Sequence, residues 1–181
     1  MRQDASSHEI ALIDAQRKAE ELFRAVADGT VIRAGALESR INEDVYALAR
    51  DMFGTTTHWH KRIVRAGRNT LAPYAETPPD LVVRDDDIVF LDFGPVFGEW
   101  EADFGRTYVL GTDPAKLKLR DDAERAFAEG KAHFARHEDI TASELFAFVA
   151  GLAERDGWEY GGPIAGHPSA SFRTSASSAT R

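Results

Sequence analysis

Between Asp87 and Leu110 the chain sets two strand-forming apolar segments around one reversal, and each carries one aspartate within its apolar run, Asp92 and Asp103. The first runs Asp87-Ile88-Val89-Phe90-Leu91-Asp92-Phe93-Gly94 and the second runs from Ala102 to Leu110, with Phe97-Gly98-Glu99-Trp100 between them. Gly98 is free to take the positive φ that a tight hairpin needs. A turn centred on Phe97 and Gly98 makes Asp92 and Asp103 directly opposed residues on one face of an antiparallel pair. Such side chains have Cβ atoms about 4.5–5.5 Å apart. Asp is depleted in strands, and Phe90, Leu91, Phe93 and Phe104 make the neighbourhood apolar. The two carboxylates therefore need a shared proton, an arginine or a cation between them, unless both lie on a solvated face. Carboxylate oxygens suit Mn²⁺, Mg²⁺ or Zn²⁺. A bridging pair suits two ions about 3.5–4 Å apart, an arrangement that activates water for hydrolysis. Arg106 falls on the opposite face from Asp103, either supporting a carboxylate or lying on the surface.

The flanking sequence alternates helical and strand periods. Ile10, Ile13, Ala19, Leu22, Phe23 and Val26 recur at three- and four-residue steps, predicting an amphipathic helix from His8 to about Asp28, closed by Gly29. Ile41, Val45, Leu48, Ala49 and Met52 mark a second helix ending at Gly54. A strand is expected from Trp59 to Val64, then a loop through Pro73, Pro78 and Pro79. After Asp113-Pro114 the helical period returns from about Lys116 to Arg136, and again through Leu145, Phe148, Val149 and Leu152 to Gly157. Ile32, Glu38 and Gly54 match Ile140, Glu144 and Gly157, which suggests a duplicated helix-helix-strand unit. The fold class expected is α+β, with duplicated units around an antiparallel sheet.

A net charge of −8 argues against nucleic acid or an anionic membrane as the main partner. The absence of cysteine excludes disulfides, thiolate metal sites and cysteine nucleophiles. With no apolar run at the N-terminus and no stretch of membrane-spanning length, a cytoplasmic location is the expectation.

His8, His133 and His137 fall on helices among polar neighbours, and surface positions explain them. His58 and His60 stand two apart where a strand is expected, so both side chains should point the same way, to a metal or to solvent. His167 follows Gly161-Gly162-Pro163-Ile164-Ala165-Gly166, a glycine-rich approach that lets backbone pass close to a ligand. It is a candidate third ligand for the aspartate pair.

Taken together, Asp92-Phe93-Gly94, Asp103 eleven residues on, Arg106-Thr107, Gly111 and the later Gly166-His167 resemble the creatinase/aminopeptidase ("pita-bread") metallopeptidases. Gly67-Arg68-Asn69-Thr70, Gly35 and Glu38 are similar to that family's pattern as well. Arg-Thr after the second aspartate is closest to Xaa-Pro aminopeptidases and dipeptidases. The resemblance spans roughly residues 8 to 167. It implies a pita-bread fold and a peptidase that hydrolyses the N-terminal bond of peptides with proline at the second position. It further implies a centre of two ions (Mn, Zn or Co) held by two Asp, one His and two Glu. Asp92, Asp103 and His167 match the first three. Arg106, Thr107, Tyr74 and His60 become candidates for supporting the ligands or touching substrate. A homodimer is a further expectation.

The chain departs from that pattern after His167. None of the 14 residues that follow is Asp or Glu, so no water-activating glutamate and no further substrate-handling histidine is supplied. The loop before the first ligand has Pro73-Tyr74 where the family carries a histidine. Residues 168–181 contain five Ser, three Ala and two Thr, a composition that cannot bury much and predicts disorder. Codons allowed for Pro168 to Ser175, shifted by one base, permit Leu-Gly-Glu-Phe-Pro-His-Glu, similar to the family's continuation after Gly-His. The expectation is a domain over residues 1–167 that is C-terminally truncated or frame-shifted, with a tail foreign to the fold. Activity in this form is expected to be weak or absent, the alternative being an inactive remnant that binds metal or a partner.

Overall fold

The computed structural model describes residues 2–162, so His167 and the Ser/Ala-rich tail lie outside the described residues. The described chain forms two compact units, dividing between Gly111 and Thr112.

The first unit begins with α1 (Arg2–Asp28) and α2 (Glu38–Phe53). Helix α1 starts earlier than its apolar period suggested, and the buried stripe consists of Ala15, Ala19, Leu22, Phe23 and Val26. Ile10 and Ile13, expected in that stripe, are largely exposed. At about 100° per residue Ile13 stands some 200° around the helix from Ala15, and so faces outward. Helix α2 buries Ile41, Val45 and Ala49 and stops at Gly54, whose φ of 68° is the left-handed closure glycine supplies at low cost. Its start lacks a capping side chain at Leu37. The segment at residues 80–83 substitutes: Glu38 N–H donates to the Leu81 carbonyl at 3.0 Å, and Ser39 N–H to Asp80 Oδ1 at 3.0 Å.

Glu38 is 5% exposed and turns its carboxylate inward. It accepts from Ala66 N–H at 2.6 Å, Asn69 Nδ2 at 2.8 Å and Leu81 N–H at 3.2 Å. A buried carboxylate is tolerated when its oxygens are this fully hydrogen-bonded. Through it α2 is tied to the end of β1 (Ile63–Ala66), to the 3-10 turn Gly67–Leu71 and to Leu81, which precedes the isolated bridge between Val82 and Leu37.

Three antiparallel strands, in the order β1-β2-β5, make the main sheet: β1, β2 (Ile88–Phe93) and β5 (Phe104–Val109). Alternation along β2 explains the layers. Val89, Leu91 and Phe93 are buried with Val64 and Ala66 against Leu22, Phe23, Val26, Ile41 and Val45. Phe90 and Asp92 point to the other face, in register with Arg65 and Ile63 on β1 and with Thr107 and Gly105 on β5. The expected strand at Trp59 to Val64 is therefore displaced to Ile63–Ala66, because residues 57–59 are hydrogen-bonded across the end of the hairpin instead.

Between β2 and β5 lies a small hairpin, β3 (Val96–Phe97) with β4 (Trp100–Glu101). Phe97 pairs with Trp100, so the loop is Gly98-Glu99, with Gly98 at φ 67°. The turn sits one residue later than the sequence suggested, and the register shifts with it: Asp92 faces Gly105, not Asp103. Asp103 lies in the break between β4 and β5. A shift of two along a strand preserves the face, so both aspartates are on the same side as diagonal neighbours.

The second unit, residues 112–162, consists of α3 (Pro114–Ala135) and α4 (Ala142–Arg155). Asp113 caps α3, accepting from Ala115 N–H at 2.8 Å, and Pro114 occupies its first turn. Helix α4 opens with a reciprocal capping box between Thr141 and Glu144. Glu144 thus caps a helix at the surface while Glu38 is a buried tie, so their sequence match does not extend to their roles. Asp122 is buried among Lys118 Nζ at 2.5 Å, Arg125 Nη2 at 2.7 Å and Trp158 Nε1 at 2.7 Å. Among the described residues, no strand follows α4, and no helix is long and apolar enough to cross a membrane.

Candidate metal centre

The site is assembled where the segment at residues 55–60 crosses the open end of the sheet. Val96 N–H donates to the Thr57 carbonyl at 2.9 Å, Trp59 N–H to the Gly94 carbonyl at 2.9 Å, and Trp59 Nε1 to the Ala102 carbonyl at 3.0 Å. Thr55 Oγ1 also donates to the Val96 carbonyl. These bonds hold the segment irregular, and His58 and His60 diverge instead of sharing a face.

His58 turns inward, its ring 5.9 Å edge-on from Phe93 and 5.8 Å from Tyr46. Burial first, then the neighbouring Arg62 and His60, pushes its pKa down to about 4. Among the described residues its Nε2 has no hydrogen-bond partner, consistent with a neutral, partly buried ring. His60 turns to the aspartates. Its Nε2 is 3.5 Å from Asp103 Oδ1 and 3.7 Å from Asp92 Oδ1, and its side chain is only 9% exposed. The Asp103 carboxylate, the Lys61 carbonyl and the charge of Asp92 raise the His60 pKa above its ordinary value, against the opposing effect of burial.

Gly94 makes this approach possible. A Cβ there would lie 2.4 Å from His60 Cδ2, 2.5 Å from Trp59 Nε1 and 2.7 Å from His60 Nε2. Asp92 is fixed within β2, and Gly105 opposite it offers no competing side chain. Asp103 is placed by Ala102, whose N–H donates to the Pro95 carbonyl at 2.9 Å.

His60, Asp92 and Asp103 each offer one donor atom, all within 4.8 Å of one another. Donors bound at about 2.0–2.2 Å to one ion lie about 3–4 Å apart, a spacing the 3.5 and 3.7 Å separations match. One imidazole and two carboxylates form a donor set for borderline and hard divalent ions. These residues fit a metal.

The other candidates are placed as follows. Tyr74 lies beside the triad, its hydroxyl accepting from Lys61 N–H at 3.3 Å and its ring 6.5 Å from that of His60. Thr107 sits on the same sheet face as Asp92, two register positions along. The Arg106 guanidinium donates to the Gly105 carbonyl at 2.8 Å and stacks over the Phe104 ring at 4.2 Å. His167 lies outside the described residues. Sequence reasoning missed Trp59 and Gly94 as the residues that place His60; the adjacency of Gly94 to the first aspartate was the available signal.

Solved structures with the same fold bear on this arrangement. A prolidase from Thermococcus sibiricus superimposes with a TM-score of 0.73 at 21% identity, covering 84% of this chain and 40% of that one. An X-Pro aminopeptidase from Thermotoga maritima gives 0.67 at 18% identity, covering 92% of this chain and 51% of that one. Zinc-substituted aminopeptidase P from E. coli gives 0.66 at 17% identity, over 80% and 33%. The chain thus spans about 40% of the length of the prolidase it matches. No curated protein sequence matches it. The fold is that of the pita-bread enzymes, and the profile of metallopeptidase family M24 matches residues 11–171, so the chain belongs to that family.

Proposed function

We propose that Asp92 and Asp103 hold a divalent cation in a peptidase centre of the prolidase and aminopeptidase P type, acting on peptides with proline at the second position. The observation that carries this is the triad of donors on the open face of the sheet, in a chain of metallopeptidase family M24. The solved structures of similar fold, named as prolidases, an X-Pro aminopeptidase and aminopeptidase P, support the substrate class.

A divalent ion at this position supplies a Lewis acid and lowers the pKa of bound water toward neutrality. The chain's own contribution is positional. Asp92 comes from a central strand and Asp103 from the hairpin break, so the two carboxylates converge from one rigid sheet end. Both side chains are about one-third exposed, which leaves one side of the pair open to a peptide. Tyr74 lies beside His60, and Thr107 stands on the same sheet face as Asp92. His167 is the further ligand that the family resemblance suggests, with Mn, Zn or Co as ions and two as their number.

The two glutamates that the resemblance places after the histidine are not among these residues. Weak or absent turnover is therefore expected of the 181 residues alone, and full turnover of a chain that carries the glutamates. The second reading is a metal-binding module without catalysis. Hydrolysis of Xaa-Pro and Xaa-Ala dipeptides in the presence of Mn²⁺, measured on a chain that carries the two glutamates, separates the readings. Peptidase function predicts Xaa-Pro turnover that Asp92→Asn and Asp103→Asn each abolish. Mn²⁺ binding without turnover favours the module. Turnover unchanged by both substitutions contradicts the proposal.

A further inference from the structure

We propose that His60 Nε2 is itself a ligand to the cation held by Asp92 and Asp103, additional to the ligand set that the family resemblance implies. The inference rests on the preceding reading of the aspartate pair, and its argument is geometric.

The His60 ring has its tautomer set from behind. Nδ1 is 2.8 Å from the Lys61 carbonyl oxygen, an acceptor only, so Nδ1 carries the proton and donates it there. In the neutral ring Nε2 then bears a lone pair, and that lone pair faces two carboxylate oxygens. Three electron-rich atoms within 4.8 Å of one another form a donor set that a shared cation stabilises. A histidine whose far nitrogen is anchored on a backbone carbonyl is the usual arrangement of a metal-bound imidazole.

Two readings of Nε2 are compared: a proton carried on it, or a metal ion shared with the carboxylates. The distances discriminate. A charge-assisted N–H···O bond closes to about 2.7–2.9 Å, whereas Nε2 stands 3.5 and 3.7 Å from the two oxygens. That is longer than a closed charge-assisted hydrogen bond and matches the spacing of donors that share one ion. The placement is also built rather than incidental. Trp59 is clamped to Gly94 and Ala102 by its backbone and indole N–H groups, and the missing Cβ at Gly94 leaves the space that the His60 ring occupies.

The two alternatives predict opposite signs for one experiment. If His60 is a ligand, its removal weakens metal binding. If it is a resident imidazolium competing with the metal, its removal leaves a more negative, vacated site and tightens binding. Mn²⁺ is titrated into the full chain and followed by the loss of the free-ion EPR signal. The variants are His60→Ala, His60→Gln, His167→Ala and Asp92→Asn, each checked for native circular dichroism. The expected result is at least tenfold weaker binding in both His60 variants. Imidazole ¹⁴N modulation in pulsed EPR of the bound ion should persist in His167→Ala and vanish in the His60→Ala/His167→Ala double variant. Should His60→Ala misfold, the ¹⁴N modulation in His167→Ala still decides, since it tests His60 in an unaltered setting. Wild-type binding that Asp92→Asn destroys but His60 substitution leaves equal or tighter overturns the His60 assignment and spares the aspartate pair. Binding indifferent to Asp92→Asn overturns the underlying reading as well.

Discussion

Replacing Glu38 by alanine tests whether the sheet and α2 are held together as described. The substitution removes the acceptor for three donors that differ in what they can do next. Ala66 N–H is in a residue with no exposed surface and loses its partner outright. Leaving one buried donor unsatisfied costs about 1–3 kcal/mol. Asn69 Nδ2 keeps the Pro79 carbonyl at 2.8 Å, and Leu81 N–H is half-buried and can reach water, so each adds a smaller amount. The truncated methylenes leave a small void, while removal of a buried charge gives some of the cost back. The net expectation is a loss of about 3 kcal/mol. With a urea slope of about 1–3 kcal/mol/M, the midpoint falls by about 1–3 M at unchanged slope. Urea unfolding is followed by tryptophan fluorescence in a Trp158→Phe background, where Trp59 and Trp100 report on residues 2–111. Glu38→Gln retains one acceptor oxygen and should lose about half as much. A loss under about 1 kcal/mol in Glu38→Ala would refute the view that this carboxylate is the tie between α2, β1 and the 3-10 turn.

Gly94→Ala places a methyl within 2.4 Å of the His60 ring, so the ring must leave the cluster; Mn²⁺ affinity measured by the same EPR titration should fall at least tenfold, with the fold retained by circular dichroism. Asp122 has its pKa held well below the ordinary carboxylate value by Lys118 first, then Trp158 and Arg125. Because the folded-state value is the lower one, its stabilisation is present above about pH 4 and is lost as pH falls below that. An Asp122→Asn variant should therefore be less stable near neutrality, and the difference from the parent should shrink as acid unfolding is followed by far-UV circular dichroism from pH 6 to pH 2. A difference that stays constant across that range would contradict the assignment.

The aspartate pair was legible in the sequence because it depends on short-range rules. Strand alternation puts Asp92 opposite in sense to Leu91 and Phe93, and a turn near Gly98 returns the chain to the same face. The register was not legible. A hairpin loop at Phe97-Gly98 and one at Gly98-Glu99 are both compatible with one glycine, and only packing chooses between them. Asp103 kept its face because the slip amounted to two positions along the partner strand. Helix α1 shows a similar limit: Ile10 and Ile13 fit a loose three- and four-residue rhythm but stand off the stripe that Ala15, Ala19 and Leu22 define. His60 was the least legible feature. Its direction depends on Trp59 bonding to Gly94 and Ala102, contacts 35 and 43 residues away in sequence, and no local periodicity encodes such bonds. For the same reason His58 and His60, judged a same-facing pair from their spacing, point to different environments.

The central claim, that Asp92 and Asp103 converge on a divalent ion with His60 facing it, is tested most directly by crystals of the protein grown with Mn²⁺ and measured near the manganese absorption edge. The account predicts an anomalous difference peak within coordination distance of a carboxylate oxygen of Asp92, one of Asp103, and His60 Nε2. A map with no peak among these three side chains under saturating Mn²⁺, or with manganese bound only elsewhere on the molecule, would contradict it.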